Sequence, residues 1–151
     1  MIMAYKISMK LPEGWQQETS VSKEQDGSEV SHLEAHLSDD KNETDKALID
    51  ICLGPMPEDT TAADEAYANY VDMIGFDEEE DGPDFDPLIE WPFQKKKAYG
   101  FEAFCEDESP MRVMCVEIKQ KLLAVITCIG KDDEALVDAI TLVDHNLRVG
   151  Q

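Results

Sequence analysis

Basic residues are scarce in this 151-residue chain: thirteen Lys and Arg stand against thirty-four Asp and Glu, a formal charge of −21. Phosphate backbones are held by clustered cations that release counterions, so nucleic acid is a poor partner, and so is an anionic membrane surface. Long apolar runs are missing as well. None approaches the ~20 residues of a spanning helix. The opening "MIMAYKISMKLPEGW" lacks the basic region and apolar core of a secretory leader. Cysteine is sparse: Cys52, Cys105, Cys115 and Cys128 form no C-x-x-C pair, against zinc-ribbon and thioredoxin-type sites. Each sits in an apolar, strand-like run, where free cysteine behaves as a small hydrophobe. The expectation is a reduced, cytoplasmic protein.

Catalytic signatures are absent too. There is no G-x-S-x-G, no P-loop, no dinucleotide glycine pattern and no H-E-x-x-H. "HLEAH" (32–36) is the nearest approach to a zinc motif. On a strand, His32 and His36 lie roughly 13 Å apart and cannot share a metal; on a helix they could, but further ligands would have to be found. Pairing a cysteine with His32, His36 or His145 requires a meeting in space that the sequence does not display. No catalytic residue and no cofactor is expected, and the chain reads as a non-enzyme.

What is present describes a fold. Hydrophobic residues make up 42% of the chain, enough for a core, and the length suits one domain over 1–151. Residues 5–11 alternate apolar and polar, as a strand with one buried face does. "LPEGW" (11–15) supplies a turn, with Trp15 as a core anchor. Residues 16–27 are polar and without pattern. The stretch 28–37 fits strand or helix; strand is preferred, because the polar loop 38–46 leads into strand-like "ALIDICL" (47–53).

Residues 60–74 predict a helix with Ala63, Tyr67, Tyr70, Val71 and Ile74 on its buried face. Thr61 and Asp64 resemble a capping pair, and Gly75 suits its end. "LIEWPF" (88–93) reads as an edge strand, since Pro92 cannot donate to a central ladder. Strands follow over 98–105, 111–118 and 122–129, the last two apolar on both faces and therefore central. Residues 131–149 predict a closing helix with Leu136, Ile140, Val143 and Leu147 inward, and His145 late, where a cation suits the helix dipole. The order implies an α+β fold: an α-β-α sandwich built on a mostly antiparallel sheet of about six or seven strands.

"YKISMKLPEGW", a mid-chain helix containing "AYANYVDMI", and the run from "KKAYGFEAF" through a hairpin to a last helix together resemble the PsbP-like superfamily. That group includes PsbP and DcrB-like proteins, a Ran-binding nuclear-import factor and chaperones of secreted effectors. The resemblance implies a non-enzymatic scaffold that holds other proteins, with no catalytic residues to carry over.

One segment stands out chemically. "GFDEEEDGPDFDP" (75–87) concentrates seven carboxylates. Read as a calcium loop from Asp77, it has Glu79, Asp81 and Gly82 in place, but Leu88 stands where a bidentate Glu is required. Pro87 and Pro92 also disfavour an exit helix. An acidic connector is the first reading, contact with a partner the second, and calcium at Asp77, Glu79 and Asp81 the third. Phe76, Phe85, Trp91 and Phe93 border the segment as core residues or as a partner-binding rim. "QKKKAY" (94–99) is a solvated strand end or a counter-charge for the loop. The functional expectation is an adaptor or chaperone-like module with an acidic surface, binding another protein through that partner's basic surface. An ion-binding or sensing role for 77–86, and an enzyme of unrecognised type, are the alternatives.

Overall fold

The computed structural model describes residues 6–23, 29–38, 45–56, 59–73, 88–105, 108–119 and 122–150. In chain order these form β1 (Lys6–Met9), β2 (Trp15–Lys23), β3 (Glu29–Ser38), β4 (Asp45–Pro55), α1 (Ala62–Met73), β5 (Ile89–Phe93) and β6 (Lys96–Phe104). Then come β7 (Pro110–Lys119), β8 (Leu122–Gly130), α2 (Asp133–Asn146) and β9 (Leu147–Gly150). The fold is α+β, with a seven-stranded antiparallel sheet in the order β2-β3-β4-β8-β7-β6-β5 and a separate β1-β9 ribbon. Among the described residues no helix is long and apolar enough to cross a membrane.

The sheet's two faces follow from the period of two along each strand. Leu33, Ala35, Ile49, Ile51, Leu53, Ile126 and Cys128 point to one face. There they join Leu136, Ala139 and Val143 of α2, together with Ile7, Met9 and Leu147, in the main core. Residues of opposite parity on β6, β7 and β8 meet α1 instead: Ala62 and Ala66 pack with Cys115 and Leu123, and Tyr70 packs with Phe101 and Val113. β7 and β8 are therefore buried on both faces, which is why they read as nearly continuous apolar runs.

Local chemistry fixes the helix starts. Thr61 Oγ1 accepts from Asp64 N–H at 3.1 Å, and Asp64 Oδ2 accepts from Thr61 N–H at 3.0 Å, a reciprocal cap. Asp132 caps α2 by accepting from Ala135 N–H at 2.8 Å. Gly14 at φ +101° closes the turn in which Trp15 N–H donates to Pro12 O, a conformation that favours glycine. Gly100 is required for another reason: a Cβ there would stand 1.7 Å from Val113 O of the neighbouring strand.

Four expectations change. Of the stretch 16–27, without pattern in the sequence, residues 16–23 belong with Trp15 to the edge strand β2, whose side chains from Gln16 to Ser22 are exposed on both faces and so show no alternation. The closing helix ends at Asn146, and Leu147, though buried, begins β9. The opening strand pairs with β9 and not with the main sheet. Among the described side chains of α1, Ala62 and Ala66 are buried, Ala63 and Tyr70 half-buried and Tyr67 38% exposed, while those of Val71 and Ile74 lie outside the described residues. The small residues let the helix lie close on β6 and β7. The strand reading of 28–37 holds as β3, and 88–93 is an edge strand, β5.

Candidate functional site

α1 packs chiefly on β6 and β7. On the same face, the even-numbered side chains of β2, β3 and β4 stay exposed or half-buried. The pairing registers set them in rows. Ser20 faces His32 and His32 faces Cys52; Glu18 faces Glu34 and Glu34 faces Asp50; Gln16 faces His36 and His36 faces Leu48. Three carboxylates from three adjacent strands thus share one row, flanked by a histidine on each side. Like charges directly opposite are unfavourable across a strand pair.

At one end of this patch three groups converge. His32 Nε2 stands 2.5 Å from Asp50 Oδ1, each side chain 34% exposed. Cys52 Sγ donates to Asp50 Oδ2 at 3.9 Å. One ligand atom from each of His32, Asp50 and Cys52 lies within 4.8 Å of the other two. The Cys52 thiol is pushed above its ordinary pKa by burial first, then by the charge and hydrogen bond of Asp50. A nucleophilic cysteine needs the reverse, a cation at the sulfur that favours thiolate. Here the carboxylate contacts both the thiol and the imidazole, and burial and its charge together favour the protonated thiol.

Sequence reasoning set His32 aside because His36 cannot share a metal with it on a strand. That geometry stands, since β3 is a strand. The missed partners come from β4, Asp50 eighteen residues on and Cys52 twenty, and only the β3–β4 register could have named them.

The other predicted site residues scatter. Phe93 is 1% exposed in the main core, so it offers no rim to a partner. Trp91 is half-buried under the Arg112 guanidinium, 4.2 Å from the ring centre, and Arg112 also donates to Glu102 at 3.1 Å. Trp91 is thus engaged within the chain. Phe76, Phe85, Asp77, Glu79 and Asp81, with the whole acidic segment 75–87, lie outside the described residues. The lysines of 94–99 are exposed at the β5–β6 hairpin, and Lys97 Nζ sits 3.9 Å from Glu90. His145 occupies the last turn of α2.

A concavity of about 310 Å³ opens where α2 passes the β1–β2 turn, lined by Pro12, Trp15, Leu37 and Leu142, with Lys46 and Asp138 as its charged members. That volume is at the small end of ligand sites and holds a side chain or two, not a helix.

Comparison of the chain with family models, with curated proteins and with solved structures found no match in any of the three.

Proposed function

We propose that the chain is a non-enzymatic, protein-binding adaptor or chaperone-like module of PsbP-like kind. Its layers read as an α-β-α sandwich whose α1 layer is incomplete, and the uncovered patch of β2, β3 and β4 is the binding surface. One observation carries this reading: the Glu18–Glu34–Asp50 row, three like charges in register where the described side chains stay exposed or half-buried. A row of this kind opposes the pairing it sits on, and a cationic partner offsets the cost. The partner is therefore a protein with a basic surface, consistent with the overall charge of −21. A reducing, cytoplasmic compartment suits cysteines that form no disulfide among the described residues, two of which, Cys115 and Cys128, are buried.

The test is affinity capture from native lysate at low salt, with the intact chain beside an E18K/E34K variant. A basic protein held by the first and lost from the second supports the reading. Retention by both removes the sheet patch as the docking surface. Loss only when residues 77–86 are neutralised transfers docking to the acidic segment.

A further inference from the structure

We propose that His32, Asp50 and Cys52 bind one divalent transition-metal ion of the zinc and cobalt class, with a fourth coordination position left open. This goes beyond the protein-binding reading and does not depend on it.

Geometry comes first. Ligands on a tetrahedral zinc at bonds of 2.0–2.3 Å stand about 3.3–3.8 Å from one another. The three donor atoms already lie within 4.8 Å of each other, and Cys52 Sγ to Asp50 Oδ2 is 3.9 Å. Closing the wider separations by about 1 Å and opening the His32–Asp50 contact by a similar amount would complete the set. Both strands are internal to the sheet, so the donors stand on a rigid base.

The donor chemistry selects the ion. One imidazole nitrogen, one carboxylate oxygen and one sulfur form a borderline set, suited to zinc and its analogues. Calcium and magnesium prefer all-oxygen shells, and cuprous copper prefers sulfur. An ion pair accounts for His32 and Asp50, but it does not need a half-buried thiol on the same carboxylate. A dication also answers the charge of Glu34, which faces Asp50 across the strand pair. Three protein ligands with a third of the His32 and Asp50 side chains exposed leave room for water or for a donor from another molecule.

Binding balances simply. The Cys52 thiol gives its proton to solvent and its sulfur takes the metal as thiolate. His32 gives up the proton that joins its Nε2 to Asp50, to its own Nδ1 through solvent or to bulk water, and binds through Nε2 as a neutral imidazole with its one proton on Nδ1. Asp50 exchanges its contact with the ring for the ion.

The test uses the reduced, metal-free full chain titrated with Co²⁺. A charge-transfer band from thiolate to cobalt should saturate at one equivalent, survive an excess of Ca²⁺ and be bleached by Zn²⁺. Cys52→Ser, close to isosteric, should abolish the band. His32→Gln should weaken cobalt binding by more than the about 10- to 100-fold typical of losing an outer-shell partner. His36→Gln and Cys105→Ser should leave the band unchanged. No band at one equivalent, or an undiminished band in a Cys52→Ser variant with unchanged far-ultraviolet circular dichroism, overturns the proposal. So does displacement of cobalt by Ca²⁺.

Discussion

The two halves of one sheet face are built on opposite terms. Over β6 and β7 the face carries Phe101, Val113 and Cys115 and lies beneath α1. Over β2, β3 and β4 it carries Glu18, His32, Glu34, Asp50 and Cys52, which are exposed or half-buried and lie beyond the strands on which α1 chiefly packs. The opposite face is apolar from β3 to β7 and closed by α2 and the β1-β9 ribbon. The chain therefore has a stable platform that does not depend on the open patch. Its polar residues are released from packing, and can be spent on binding. The half under α1 is packed with apolar side chains, and the other half presents polar and ionisable ones.

The largest test of that division strikes the covered half. Phe101 is 1% exposed and meets Tyr70 edge-on at 5.3 Å between ring centres. Phe101→Ala should cost about 3–5 kcal/mol, from lost burial and the cavity it leaves. Urea unfolding measures it. A loss within about 0.5 kcal/mol, the range of a surface change, would show that α1 contributes little to the platform.

The second test reverses the roles by making the open half stabilising. If the trio holds zinc, free Zn²⁺ at a hundred times its Kd should stabilise the wild type by about 2.7 kcal/mol. Thermal melts with and without the ion read this, and Cys52→Ser should show no gain. An equal gain in that variant would assign the effect to cations on the acidic surface at large.

The thiols sharpen the contrast by pH. Cys115, under α1, is pushed from 9.0 up to about 12, by burial first and by the charge of Glu65 second. The folded chain then holds that proton more tightly than the unfolded chain does. The contribution to stability is whole below about pH 9 and is lost as pH rises towards 12. Wild-type urea midpoints should therefore fall over that window more steeply than those of Cys115→Ala. Parallel slopes would mean that the buried thiol ionises as freely as an exposed one.

The covered half was also the more legible in sequence, for the same physical reason. β7 and β8 are buried on both sides, so their composition announces them; Thr61 and Asp64 mark a helix start by chemistry that acts over three residues. β2 is exposed on both faces, so Gln16 through Ser22 show no alternation to detect. Leu147 continues the apolar spacing of α2 but opens β9, because burial and not helix period selected it. The His32–Asp50–Cys52 trio was illegible for a deeper reason. Its members belong to no local motif, and a one-residue slip of β3 against β4 would separate them.

Helix capping tests how far α1 depends on its own start. Thr61→Ala removes a hydroxyl that accepts from Asp64 N–H and should cost about 1 kcal/mol. The signal is a lower urea midpoint with an unchanged slope, so that the loss is one of stability and not of compactness. No change would mean that packing on β6 and β7 alone holds the helix.

The smallest effect is the most telling about the open half. Glu34 is exposed and lies in register between Glu18 and Asp50. Neutralising it as Glu34→Gln keeps its shape and removes two like-charge neighbours, so the metal-free chain should become more stable by about 0.2–1 kcal/mol. The gain should shrink as salt is raised from about 0.01 M to 1 M, because screening shortens from about 30 Å to 3 Å. A packed structural residue would behave oppositely, with loss on substitution and no dependence on salt. A salt-sensitive gain would mean that the patch carries an electrostatic cost in the isolated chain, which a cation at the trio or a basic partner across the face would relieve.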